Sequence, residues 1–189
     1  MARLDLATTA LCVTALTALA ATGCSDPPAP PARVGMVLDL GPPSDTALGA
    51  CGTGTQSSFS VGQSLPTATA PGEPTTSGQD GVNVTCTIKG KSSGYSVSAR
   101  IESPLVNVSL GASVPRRGVG AGEFSANIPS ASRNLYTRQC EFHTDAPPLI
   151  AGKGEIHTTF RCINAQQPSV PGTACNLSGV LVLLRCQEE

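Results

Sequence analysis

The stretch VNVTCTIKGKSSGYSVSARI, residues 82–101, decides the fold class. Val82, Val84, Cys86 and Ile88 alternate with Asn83, Thr85 and Thr87. After KGKSSG, Tyr95, Val97, Ala99 and Ile101 alternate with Ser96, Ser98 and Arg100. In an extended chain successive side chains point to opposite faces, so a period of two gives each segment one apolar face, and the Gly-containing break lets the two pair as a β-hairpin. Outward from the hairpin, shorter runs of the same kind occupy residues 34–40, 58–61, 105–110, 122–128, 138–144, 154–163 and 178–186. Within the last run, residues 180–184 are apolar at every position, which suits a central strand covered on both sides. Downstream of residue 33 no stretch repeats apolar residues at helical spacing with caps.

Eight or nine strands separated by Gly, Pro, Ser and Asn clusters predict an all-β domain over residues 34–189, an antiparallel β-sandwich of Ig-like or jelly-roll type, with a partly open barrel as the alternative. The chain has 189 residues, 40% hydrophobic and 13% charged, with 20 Gly, 16 Pro and no Trp, a composition that disfavours coiled coils and long helices. Its aromatic residues are Phe59, Phe124, Phe142, Phe160, Tyr95 and Tyr136, so the core is expected to be Val, Ile and Leu, with disulfides contributing to stability. Twelve basic against thirteen acidic side chains leave a formal charge of -1, and no broad field exists to hold a nucleic acid.

The N-terminus reads as an address. Residues 6–21, LATTALCVTALTALAA, are apolar or small and uncharged, follow Arg3, and are shorter than a bilayer span. They lead into Ala21-Thr22-Gly23-Cys24, which resembles the lipobox of bacterial lipoproteins. The resemblance implies cleavage before Cys24, lipid attachment at Cys24, and residence in the cell envelope. Ser25 is of the type that family associates with an outer membrane. An ordinary secretory leader containing Cys24 is the alternative. Residues 25–33, SDPPAPPAR, carry four prolines and predict an extended tether, so that residues 1–23 are leader and 24–33 lipidated cysteine and tether.

Downstream of Cys24 stand Cys51, Cys86, Cys140, Cys162, Cys175 and Cys186, an even number with no C-x-x-C pair. Zinc-knuckle and thiol redox readings therefore fail on spacing, and an oxidising compartment with three disulfides is expected. Fifteen pairings are possible. Nearness along the chain favours Cys51 with Cys86, then Cys162 with Cys175 and Cys140 with Cys186.

Two histidines sit in echoing contexts, EFHT at 141–144 and EIHT at 155–158. If their strands pair with residue numbers summing to 300, His143 faces His157 beside Asp145 and Glu155, an arrangement able to bind zinc or copper. A sum of 302 instead sets Cys140 opposite Cys162 and separates the histidines. The apolar pattern does not choose, since both registers keep Phe142 and Phe160 inward.

There is no His-Glu-x-x-His or Ser-x-x-Lys motif, and Gly152-Lys153 lacks the upstream glycine of a P-loop. A Ser, His157 and Asp145 triad has no spacing to support it, leaving a small hydrolase as a third reading. Residues 66–80, PTATAPGEPTTSGQD, read as a mobile surface loop, with a solvated insertion favoured over a binding loop. Arg116-Arg117 falls in a turn. Sugar recognition has only Tyr95 and Tyr136 to offer as docking rings, and Tyr95 lies on an apolar side. Asn83, Asn107 and Asn176 match the three-residue glycosylation pattern, which matters only in a eukaryotic host. The expected function is thus a membrane-anchored, non-catalytic binding or structural module with an unknown protein or cell-envelope partner and no cofactor; extracytoplasmic metal binding through His143 and His157 is the alternative.

Overall fold

The computed structural model describes residues 28–51, 57–144 and 150–189. Among these the regular structure is strand throughout, apart from a single 3-10 turn at Pro129–Ala131. The strands are β1 (Arg33–Gly41), β2 (Gly49–Ala50), β3 (Ser58–Val61), β4 (Thr75–Thr76), β5 (Asn83–Lys91), β6 (Gly94–Glu102) and β7 (Asn107–Pro115). They continue with β8 (Val119–Ile128), β9 (Arg133–His143), β10 (Ile150–Gly152), β11 (Glu155–Gln166), β12 (Thr173–Leu184) and β13 (Gln187–Glu188).

The decisive hairpin forms as its alternation requires. β5 pairs antiparallel with β6 from Asn83 opposite Glu102 to Lys91 opposite Gly94, and Val84, Cys86, Ile88, Val97, Ala99 and Ile101 are all buried. From there the chain meanders through β7, β8 and β9, each alternating inward apolar with outward polar residues, and then crosses to β11 and β12. The ten-strand hydrogen-bonded path runs β13-β5-β6-β7-β8-β9-β11-β12-β1-β3, with β2, β4 and β10 attached at its sides.

This is one continuous sheet curled into a half-barrel, where two separate sheets were expected. The curl is held by the C-terminus. After β12 the chain turns at Arg185, whose φ is 57°, and lays β13 parallel to β5 at Thr87 and Ile88. One apolar cluster therefore draws on both ends of the path, from Val84 and Ile88 to Met36, Leu38, Leu181 and Leu183. At its centre the ring of Phe160 stacks on Phe124 at 4.9 Å and leans on Phe142 at 6.4 Å. Where β1 crosses closest to β12, Gly179 leaves no room for a side chain: a Cβ there would collide with the Val37 carbonyl.

All six cysteines among the described residues are paired, as Cys51–Cys175, Cys86–Cys186 and Cys140–Cys162. The pairings favoured by chain proximity, Cys51 with Cys86, Cys162 with Cys175 and Cys140 with Cys186, do not form. The sheet explains why. Cys162 stands opposite Cys140 on β9 and Leu177 on β12, whereas Cys175 stands opposite Ala165. Cys86 lies on β5, where the arrival of β13 delivers Cys186.

Between β3 and β4 the chain crosses the outer face of β1, β12 and β11. Residues 66–80 form short bridges and backbone hydrogen bonds, with Pro66, Pro74 and Thr75 buried and most of the others exposed. Thr75 and Thr76 add to the edge of β1, Ser64 bridges to Glu73, and Thr67 bridges to Ala70. Three prolines, Pro66, Pro71 and Pro74, restrict this segment before it folds, which lowers the entropy lost on docking.

Candidate functional site

Cys12, Cys24 and Asp145 lie outside the described residues. The histidine strands take the register that sums to 302: Cys140 faces Cys162, Phe142 faces Phe160, and His143 faces Thr159. His157 does not face His143; its neighbours across the sheet are Ile150 on β10 and Val182 on β12. Its ring is buried beneath the 66–74 crossing, where Nε2 lies 3.1 Å from the Thr67 carbonyl oxygen. A carbonyl only accepts, so Nε2 carries the hydrogen. His143 stays at the surface with Nε2 3.4 Å from Glu141. Among the described residues no three His, Cys, Asp or Glu side chains gather around a common point.

Two other expected features have structural employment. Arg116, in the turn between β7 and β8, sets its guanidinium 5.8 Å from the Tyr95 ring centroid. Asn107 accepts the Ser103 backbone N–H, and Asn176 accepts the backbone N–H of Asn164. Beside the 66–74 crossing a hollow of about 410 Å³ is floored by Ile156, Val182 and Leu184 and rimmed by Arg33, Glu73 and Glu155. The Arg33 guanidinium is already committed, donating from Nε and Nη2 to the Pro74 carbonyl at 3.2 and 2.7 Å.

The most constructed polar surface lies elsewhere, where β8, β9 and β11 run side by side. Between the pairs Gly122–Cys140 and Phe124–Thr137, β8 supplies one residue, Glu123, and β9 supplies two, Arg138 and Gln139. One strand further on, Ile163 and Asn164 of β11 face the single residue Asn176 of β12. Each extra residue is a β-bulge, which interrupts the ladder and re-aims side chains. The two bulges stand at the same level of the sheet.

Side chains make use of the interrupted ladder. Thr137 donates to the Ile163 carbonyl at 3.2 Å. Asn164, left-handed at φ 50°, turns its side-chain Oδ1 to accept the backbone N–H groups of Ser44 and Asp45 at 3.0 and 3.2 Å. Asn176 Nδ2 donates to Ser44 Oγ at 2.8 Å. The segment after β1 is thereby pinned beside the bulges, although it belongs to no strand. Left-handed backbone favours Asn among residues with a side chain, and its short amide can bond locally.

On the other side of the bulges, Tyr136 is 38% exposed, yet its hydroxyl is fixed from two directions. Arg138 Nε donates to it at 2.7 Å, and it donates to Glu123 Oε2 at 3.3 Å. The hydrogen bond to Tyr136 and the nearby Glu123 charge push the Arg138 guanidinium pKa above its usual value. Two shallow hollows of about 630 and 540 Å³ meet at Arg138 and Gln139. The first extends over Glu141 and Arg161, and the second over Tyr136, Asp45, Asn164 and Gln166. Of these residues only Tyr136 was singled out from the sequence. The available signal was a change of parity: Leu135 and Thr137 are buried, then Cys140 and Phe142, so one outward step is doubled.

Compared with family models, with curated proteins and with solved structures, the chain matches none.

Proposed function

We propose that the protein is an exported, lipid-anchored binding module without catalytic activity, held at the cell envelope through Cys24. The observation that carries this reading is the use of every cysteine downstream of Cys24 in a disulfide, within an all-β body. Three structural bridges fit an oxidising compartment, and they leave Cys24 as the odd thiol at the end of an apolar leader. The leader ends in the lipobox-like ATGC, and eight residues separate Cys24 from the first strand at Arg33. Four prolines keep that connection extended, at about 3 Å per residue, far enough to lift the domain off a bilayer. Multiple acyl chains on one cysteine would make the attachment effectively permanent, whereas a single chain binds only marginally.

In this reading the curled sheet works as a sandwich, with β5–β8 as one layer and β9, β11, β12 and β1 as the other, and the half-barrel core between them. An outer membrane is the favoured location, on the strength of Ser25. The experiment is metabolic labelling of the full-length chain with an alkyne fatty acid in a bacterial host. Label is expected on the wild type and lost in Cys24→Ser, which should also leave the membrane fraction. An unmodified Cys24 at the mature N-terminus overturns the anchoring.

A further inference from the structure

We infer that the trough over the paired bulges is a binding site for a neutral oligosaccharide, with one sugar ring stacked on Tyr136. The inference rests on the binding-module reading and supplies its ligand class. A pyranose offers a face of C–H groups and a rim of hydroxyls that both donate and accept. Tyr136 presents an exposed ring already held by Arg138 and Glu123, so stacking on it requires no further ordering of that side chain. The rim would meet the carboxamide of Gln139, which offers acceptor and donor together, the carboxylate of Asp45 and the guanidinium of Arg161.

Charge balance narrows the ligand. Arg138 and Arg161 are matched across the two hollows by Asp45 and Glu141, so the surface has no excess to hold a polyanion. The hollows share Arg138 and Gln139 in their linings, and two adjoining hollows suit a chain of a few units over a single sugar. The pinning of Ser44 and Asp45 through Asn164 and Asn176 gives the wall a defined position before any ligand arrives.

The test uses the full-length protein in detergent micelles, titrated separately with chitotetraose, cellotetraose, mannotetraose and inorganic phosphate, and followed by the ring NMR signals of Tyr95 and Tyr136. At least one tetrasaccharide is expected to bind at millimolar concentration and shift Tyr136 but not Tyr95. Tyr136→Ala should weaken it about tenfold, the scale of one lost aromatic stacking contact. Tyr136→Phe, which keeps the ring, should lose less than Tyr136→Ala, and Gln139→Ala should weaken binding while leaving the thermal melt unchanged. If Tyr136→Ala misfolds, the Phe and Gln139 variants still decide. Binding of no tetrasaccharide, affinity that survives Tyr136→Ala, or a Tyr136 response to phosphate alone overturns the proposal. Fatty-acid labelling of Cys24 is read independently, so a failed titration and a failed anchor are distinguishable.

Discussion

Removing the Cys86–Cys186 bridge by the paired substitution Cys86→Ala and Cys186→Ala tests how the half-barrel is held. Taken alone, the bridge closes a loop with a sequence separation of 100 residues. The chain is already linked at Cys51–Cys175, however, and that bridge interlocks with this one, because Cys86 lies inside its loop and Cys186 outside. The shortest covalent path from Cys86 to Cys186 goes about thirty-five residues back to Cys51, across to Cys175, and about eleven onward. In the chain-entropy model a loop of roughly that combined length contributes about 4 kcal/mol, against about 4.7 for the unlinked loop. A loss of 4 kcal/mol is a quarter or more of a typical domain's 5–15 kcal/mol. The folded state loses a specific anchor too, since β13 has only two residues and pairs with β5 at Thr87 and Ile88 alone. Denaturant unfolding should therefore show a midpoint lowered by that free energy, and hydrogen exchange should accelerate at Glu189, whose N–H is bonded to the Ile88 carbonyl, before the β6–β7 amides respond. A loss below about 1 kcal/mol, or unchanged protection at Glu189, would refute the view that this bridge closes the curl. Peptide mapping of the unreduced wild type should recover Cys86 joined to Cys186; Cys86 joined to Cys51 would sink the argument outright.

Two further substitutions probe the sheet itself. Gly179→Ala should prevent β12 from docking against β1, because the new methyl meets the Val37 carbonyl; a thermal melt should show severe destabilisation or no folded protein, while Gly90→Ala, which meets nothing within 4 Å, should leave the melt nearly unchanged. His157→Ala removes a buried ring and its bond to Thr67, at a cost of about 2–4 kcal/mol from cavity and lost hydrogen bond, and limited proteolysis should then cut within residues 66–74. Wild-type resistance to cleavage there that persists in the variant would show that the imidazole does not hold the crossing down.

The strands were legible because each of β5 to β9 buries a single face, and a period of two is the direct consequence of that geometry. The apolar run at 180–184 was legible for the complementary reason: β12 is central, and Leu181, Val182 and Leu183 are all buried. The even set of cysteines downstream of Cys24 is a matter of composition and spacing, which need no fold to be read. The outward position given to His157 was not wrong in parity. What changed its surroundings was the return path between β3 and β4, which covers that face with Pro66, Pro71 and Pro74 near Gly35. No local pattern announces which strand a Pro-rich segment will cover.

The sequence by itself therefore determined an all-strand, disulfide-bearing body, since alternation, length and residue type act over a few neighbouring positions. Only the tertiary structure decided which sulfurs meet, whether the strand numbers sum to 300 or 302, and where two doubled residues come to lie side by side. Those outcomes depend on strand order and on contacts between residues tens of positions apart. Registers that bury the same faces differ little in apolar burial, and it took the bridges, the bulges and the crossing segment to separate them.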